Sequence, residues 1–111
     1  MTQMNGLAPV VACELTSAEL RERKVWLQGA LRAHIRTHQW LHRGLHVSLA
    51  YSPEAVALVG ELILLEAQCC PFLRFDLQVE PAARTVELRL TGPEGTVAFL
   101  RDLALVAELS P

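Results

Sequence analysis

The chain has 111 residues, of which 51% are hydrophobic, and a formal charge of -2, which suits one globular domain and excludes global disorder. The balanced charge and scattered arginines give no electrostatic basis for binding nucleic acid or an anionic membrane. The sequence opens without a basic start and a long apolar run, and its most apolar stretch, residues 55–65, is too short to cross a bilayer. We therefore expect a cytoplasmic protein.

The first predicted elements are an arm and a helix. Residues 1–15 have no periodicity and are interpreted as a flexible N-terminal arm, and residues 16–111 as a single folded domain. The segment from Thr16 to Glu19 has the spacing of a capping box at a helix N-terminus. Apolar residues then recur at helical spacing, which predicts a first helix over about 17–37: Leu20, Leu27, Leu31 and Ile35.

Three stretches alternate between apolar and polar residues and so predict β-strands. They cover residues 45–51, 73–79 and 86–91. A turn at 81–84 joins the last two strands into a hairpin. A right-handed crossover would make the first two strands parallel, with the third strand between them.

Two further helices complete the predicted fold. Ser52 and Pro53 provide a cap and a first-turn proline for the second helix, which reaches about Gln68 and ends because Pro71 follows. A third helix begins after Gly92. The predicted fold is α+β in the order α-β-α-β-β-α, with a three-stranded, mainly antiparallel sheet and helices packed on one face. Its exposed edge strands lead us to expect a homodimer.

Two adjacent cysteines, at the junction of the second helix and the following strand, are the residues that most resemble a reactive site. Cys69 and Cys70 could supply two thiolate ligands to a soft divalent metal ion such as mercury or zinc, and Cys13 on the arm could supply a third. An odd number of cysteines in a cytoplasmic chain is a poor disulfide framework. Glu66 lies one helical turn earlier and can face one cysteine, as an oxygen ligand or in a catalytic role as proton acceptor. We therefore expect the partner to be a metal ion or an organometallic small molecule.

The surroundings of the pair favour metal binding over a thiolate nucleophile. A carboxylate and the negative C-terminal end of a helix both oppose a free thiolate, unless Arg74 offsets their field. A bound cation removes the difficulty, because it deprotonates the thiols directly. The alternative is that the cysteines are small buried apolar residues and that Glu66 is a solvated or capping acid.

Four histidines recur every four residues: His34, His38, His42 and His46. The first two would share one face of a helix, a geometry that can bind zinc, copper or nickel. Gly44 interrupts the row, and the neighbouring arginines disfavour a second cation. A solvated or pH-sensitive helix end is therefore the preferred interpretation of the row.

The stretch E-A-Q-C-C-P-F-L-R-F at residues 66–75 resembles the E-x-x-C-C-P-F core of a group of small bacterial proteins, many of them uncharacterised. The similarity extends from A-C-E-L-T around Cys13 to the last helix. Members of that group often accompany mercury-resistance regulators and transporters. The resemblance implies mercury handling and marks Cys13, Glu66, Cys69 and Cys70. A thinner similarity, limited to the C-C pair and a following phenylalanine, relates the chain to organomercurial lyases.

Three functions are compatible with these patterns. The first is an accessory protein that binds a soft heavy metal, in particular mercury, through Cys69 and Cys70, with Cys13 as a third ligand. The second is a thiol-dependent enzyme that acts on organomercurials or a redox substrate, with a cysteine attacking and Glu66 moving a proton. The third is a non-catalytic module with buried cysteines, which dimerises through a sheet edge or through the helix that carries Trp26.

Overall fold

The computed structural model describes residues 17–103, which form a four-stranded antiparallel sheet and three helices. The predicted arm at 1–15 and the end of the third predicted helix lie outside this range. None of the helices within the described range is long and apolar enough to span a bilayer. In chain order the elements are α1 (Ala18–Arg32), β1 (Ile35–Leu41), β2 (Gly44–Leu49), α2 (Pro53–Cys69), β3 (Arg74–Glu80), β4 (Thr85–Thr91) and α3 (Thr96–Leu103).

The α+β class is confirmed, but the three-stranded sheet and the order α-β-α-β-β-α are wrong. The described order is α-β-β-α-β-β-α, because residues 35–41 form β1, whereas residues 35–37 were predicted to end the first helix. Helix α1 ends at Arg32, and β1 turns back to pair with β2, from Leu41 opposite Gly44 to Ile35 opposite Leu49.

The error has two physical causes. Ile35 continues the helical spacing of α1, although the β-branched and aromatic side chains of Ile35, Thr37 and Trp40 favour a strand once a partner strand is present. The turn between β1 and β2 is His42-Arg43, which lacks the Asn-Gly or Asp-Gly sequence that usually marks a two-residue hairpin.

The three predicted strands themselves have the predicted arrangement. They correspond to β2, β3 and β4, and the sheet order β1-β2-β4-β3 places β4 between the other two. Because both pairings are antiparallel, β2 and β3 run in the same direction. Gly44 lets β4 approach closely, since a Cβ atom at this position would lie 2.1 Å from the carbonyl oxygen of Leu90.

The hydrophobic core lies on one face of this sheet. Alternate side chains of the two central strands are buried there: Leu45, Val47, Leu49, Val86, Leu88 and Leu90. They belong to the same cluster as Leu27 of α1, Leu62 of α2 and Leu100 of α3. The helices therefore cover this face, and the other face carries polar side chains such as Ser48 and Glu87.

Helix α2 begins and ends within one or two residues of its predicted bounds. The Ser52 hydroxyl accepts a hydrogen bond from the backbone N–H of Ala55 at 3.0 Å, as expected of an N-terminal cap. At the other end, Cys70 leaves helical geometry with φ -128° and ψ 67°, in agreement with the restriction that Pro71 imposes on it. After the end of α2, Cys70 and Phe72 of the C-C-P-F segment pack into the core.

Candidate functional site

Glu66 lies on the buried stripe of α2. Ala55, Val59 and Leu62 precede it at helical spacing and are buried against the core. Glu66 itself is only 1% exposed, so its interpretation as a solvated acid is wrong. A carboxylate at such a position requires hydrogen bonds or a charged partner, because burial of an isolated charge is very unfavourable.

The first partner of Glu66 is Cys70, four residues later. The Cys70 thiol donates a hydrogen bond to Glu66 Oε1 at 3.1 Å, and Cys70 has no exposed surface. The helical spacing of the two residues accounts for this contact, as the sequence predicted for one cysteine of the pair. The thiol and the carboxylate therefore form a buried hydrogen-bonded pair.

The second partner of Glu66 is Lys24 of α1, a contact that was not predicted from the sequence. Its Nζ lies 3.4 Å from the same Oε1 atom, and its side chain is 12% exposed. Lys24 continues the apolar stripe of α1 at helical spacing between Leu20 and Leu27, and this position in the stripe was the available signal. The two packed helices therefore place an ammonium opposite the buried carboxylate.

Two aromatic rings lie next to these charged groups. Phe72, from the C-C-P-F segment, and Phe99 of α3 contact each other edge to face, with their ring centroids 4.9 Å apart. Lys24 Nζ lies 5.9 Å from the centroid of Phe99. Apolar walls of this kind lower the local dielectric constant and strengthen the interactions among the charges inside them.

Arg74 does not supply the positive charge of this site. Its guanidinium pairs with Asp76 on β3, and its side chain is 77% exposed. Lys24, rather than Arg74, supplies the positive charge near the thiol and the carboxylate. In this site, the Oε1 atom of the Glu66 carboxylate contacts both the Cys70 thiol and the Lys24 ammonium.

The predicted metal ligands are only partly within the described residues. Cys13 lies outside them, and Cys69 is the last residue of α2, with a side chain that is not described. Among the described side chains of residues 17–103, which do not include that of Cys69, no three histidine, cysteine, aspartate or glutamate residues come together in an arrangement that could hold a metal ion. The three-cysteine metal site of Cys13, Cys69 and Cys70 therefore stays a prediction.

The predicted helical pairing of the histidines is wrong. His34 follows the end of α1, whereas His38 lies on β1 and His46 on β2. The register places His38 opposite Val47, on the core side of the sheet. His46 precedes Val47 on β2, and its side chain therefore points to the other face. There, His46 Nε2 lies 2.6 Å from Glu87 Oε1.

The same carboxylate binds a second side chain on the polar face of the sheet. The Ser48 hydroxyl lies within hydrogen-bond distance of both Glu87 oxygens, at 2.8 and 2.9 Å. Ser48 and Glu87 are direct cross-strand neighbours. Glu87 is therefore a structural partner of the two central strands, which sequence spacing alone did not reveal.

No protein-family model, curated protein or solved structure matches this chain. The similarity to proteins with an E-x-x-C-C-P-F core, and the mercury handling that it implies, therefore stay predictions.

Proposed function

We propose that this protein binds a soft heavy-metal ion, most simply Hg²⁺, as a thiolate complex in which Cys70 is a ligand. Glu66 accepts the proton that the Cys70 thiol loses. Cys69 is the second ligand and Cys13 the third. The observation that supports this proposal is the buried hydrogen bond of 3.1 Å between the Cys70 thiol and the Glu66 carboxylate.

Metal binding by cysteine thiols releases protons, and each of these protons has an acceptor. Three thiols and one Hg²⁺ give a mercury complex with three thiolates and release three protons, since soft metals bind cysteine as thiolate. Glu66 Oε1 already accepts the hydrogen bond of Cys70, so it is positioned to receive the proton of this thiol. The other two protons, from Cys69 and Cys13, go to the solvent.

The cost of burying charge supports a functional role for these residues. A cysteine that only fills space needs no carboxylate beside it. Removal of an ammonium and a carboxylate from water costs several kcal/mol for each ion, and apolar residues of similar volume are often as stable or more stable. Lys24 and Glu66 occupy positions in apolar helix stripes, where leucine would satisfy the packing.

The site is closed in this conformation. Cys70 has no exposed surface, whereas Pro71, the next residue, lies at the surface. An ion therefore reaches Cys70 only after a movement at the C-terminal end of α2. Such a movement would couple the capture of the metal to a local opening of the fold.

Native mass spectrometry with one equivalent of Hg²⁺, in an excess of glutathione, tests the proposal. We expect the wild-type protein to retain one mercury ion and the Cys69→Ser/Cys70→Ser variant to lose it to glutathione. Glu66→Gln preserves the shape of the side chain but cannot accept a proton, so it should bind mercury more weakly. Glu61→Gln is the matched control, because Glu61 lies on the same helix and pairs with Arg23 at the surface. Stoichiometric retention of mercury by the double-serine variant would refute the proposal.

The Cys70–Glu66 contact also supports a second candidate, an enzyme that cleaves carbon–mercury bonds. Cys70 would bind the mercury atom of an organomercurial and give its proton to Glu66. Glu66 would then return this proton to the carbon atom, which releases a hydrocarbon and leaves mercury bound to the thiolate. Incubation with a phenylmercury salt decides between the candidates: benzene above the level of the Glu66→Gln control supports the enzyme, and tight binding without benzene supports the accessory protein.

A further inference from the structure

We propose that β3 pairs with β3 of a second copy of this chain. The two strands run antiparallel about a two-fold axis at Leu77, and they join two four-stranded sheets into one sheet of eight strands. This surface is separate from the thiol site, so the proposal is independent of the proposed function.

The first observation is that β3 is a regular edge strand. It lies at the end of the sheet and pairs with β4 over all seven of its residues without a shift in register. The other edge strand, β1, has a register irregularity between Ile35 and Thr37, a feature that discourages pairing at an edge. Within residues 17–103, β4 is the only strand paired with β3, so no described strand covers the outer edge of β3.

The second observation is the exposure of apolar side chains on β3. Leu77 and Val79 pair with Leu88 and Val86, which have no exposed surface, on the core side of the sheet. The β3 residues themselves are 37% and 40% exposed. An added strand would cover both residues, because directly opposed side chains in an antiparallel pair contact each other.

The third observation is that the sequence of β3, R-F-D-L-Q-V-E, complements itself about Leu77. An antiparallel pairing centred there places Arg74 opposite Glu80 of the second copy and Asp76 opposite Gln78. On the other face it places Phe75 opposite Val79 and Leu77 opposite its own counterpart. Arg74 and Glu80 therefore meet as opposite charges, the apolar side chains face each other, and no like charges are directly opposed.

The two neighbouring registers are electrostatically worse. An axis at Asp76 places this carboxylate opposite its own copy, and an axis at Gln78 places Asp76 opposite Glu80. A shift by an odd number of residues would oppose side chains from different faces of the strand. An axis at Phe75 would pair Arg74 with Asp76 but would engage only three residues of β3, whereas the register centred on Leu77 pairs all seven.

An apolar hollow beside the strand enlarges the interface. Its volume is about 420 Å³, and Tyr51, Pro53 and Val56 line it together with Val79. The register brings Phe75 of the second copy opposite Val79, at the edge of this hollow. Apolar contact beyond the strand edge is needed, because pairing of a single strand buries less area than a stable dimer requires.

Sedimentation velocity of the metal-free protein over a range of concentrations tests the pairing. We expect a monomer–dimer equilibrium. Arg74→Glu or Glu80→Arg should each weaken the dimer about 10-fold, since symmetry places the like-charge contact in the interface twice. Arg36→Glu, on the other edge strand, is the matched control and should leave the dissociation constant unchanged.

A mixture of the two weakened variants gives the sharpest result. In the heterodimer of Arg74→Glu with Glu80→Arg, both cross-strand contacts again join opposite charges, so the mixture should regain the wild-type dissociation constant. Val79→Lys, at an exposed position that should tolerate the change in the monomer, should abolish the dimer. A monomeric wild-type protein at about 100 μM, a dimer unaffected by Val79→Lys, or a mixture as weak as its components would overturn the proposal.

Discussion

The buried ion pair between Lys24 and Glu66 allows a quantitative prediction. Lys24→Met would leave the carboxylate of Glu66 buried without its ammonium partner. At the observed 3.4 Å, and with an effective dielectric constant of about 20, the gross attraction is about 5 kcal/mol. Desolvation of both groups offsets part of this attraction, and the lysine keeps some contact with water. We therefore expect Lys24→Met to lower the free energy of unfolding by about 2–4 kcal/mol.

A double-mutant cycle isolates the interaction between the two groups. Glu66→Gln removes the negative charge but keeps an oxygen that can accept the hydrogen bond of Cys70. The variant with both substitutions should lose less stability than the sum of the two single variants, with a coupling energy of about 1–3 kcal/mol. Urea unfolding, followed by circular dichroism and tryptophan fluorescence, measures all four proteins.

Arg23 and Glu61 provide the control cycle on the same two helices. Their side chains are 45% and 42% exposed, and solvent screening should limit their coupling to less than about 1 kcal/mol. A coupling between Lys24 and Glu66 that is no larger than this surface value would refute the view that Glu66 is held as a buried carboxylate by Lys24.

Four further predictions concern two glycines, the α2 cap and the buried thiol. Gly44→Ala should lower the free energy of unfolding by about 1–3 kcal/mol, because the added Cβ would lie 2.1 Å from the Leu90 carbonyl oxygen. Gly29→Ala should instead raise it by about 0.5–1 kcal/mol, since nothing lies within 4 Å and alanine favours the helix; thermal unfolding that ranks the two variants equally would contradict this reasoning. Ser52→Ala should cost about 1 kcal/mol through loss of the α2 cap, as measured by urea unfolding, and an unchanged midpoint would count against the cap. In a variant that keeps only Cys70, iodoacetamide should react slowly with the native protein and rapidly in denaturant, whereas equal rates would show that the thiol is not buried.

The sequence predicted the elements whose signals are local. The end of α2 could be placed because Pro71 restricts Cys70, and β3 and β4 could be recognised by their alternating side chains. The hairpin of β1 and β2 could not, because its formation depends on cross-strand pairing. Ile35 fits the spacing of α1 as well as that of a strand, and only the partner Leu49 decides between them.

The candidate site likewise contains one contact within a helix and one contact between two helices. Glu66 and Cys70 are one helical turn apart, so their contact follows from the spacing within α2. Lys24 reaches Glu66 only because α1 packs against α2, and the length of the connection between the helices does not reveal which faces meet. A lysine within an apolar helix stripe was the only local sign of this contact.

X-ray absorption spectroscopy at the mercury edge tests the thiolate site most directly. The protein would be loaded with one equivalent of Hg²⁺ and freed of small thiols before measurement. We expect sulfur neighbours from the protein alone, with one fewer sulfur in the Cys70→Ser variant. An identical sulfur count in wild-type protein and Cys70→Ser would contradict the assignment of Cys70 as a ligand.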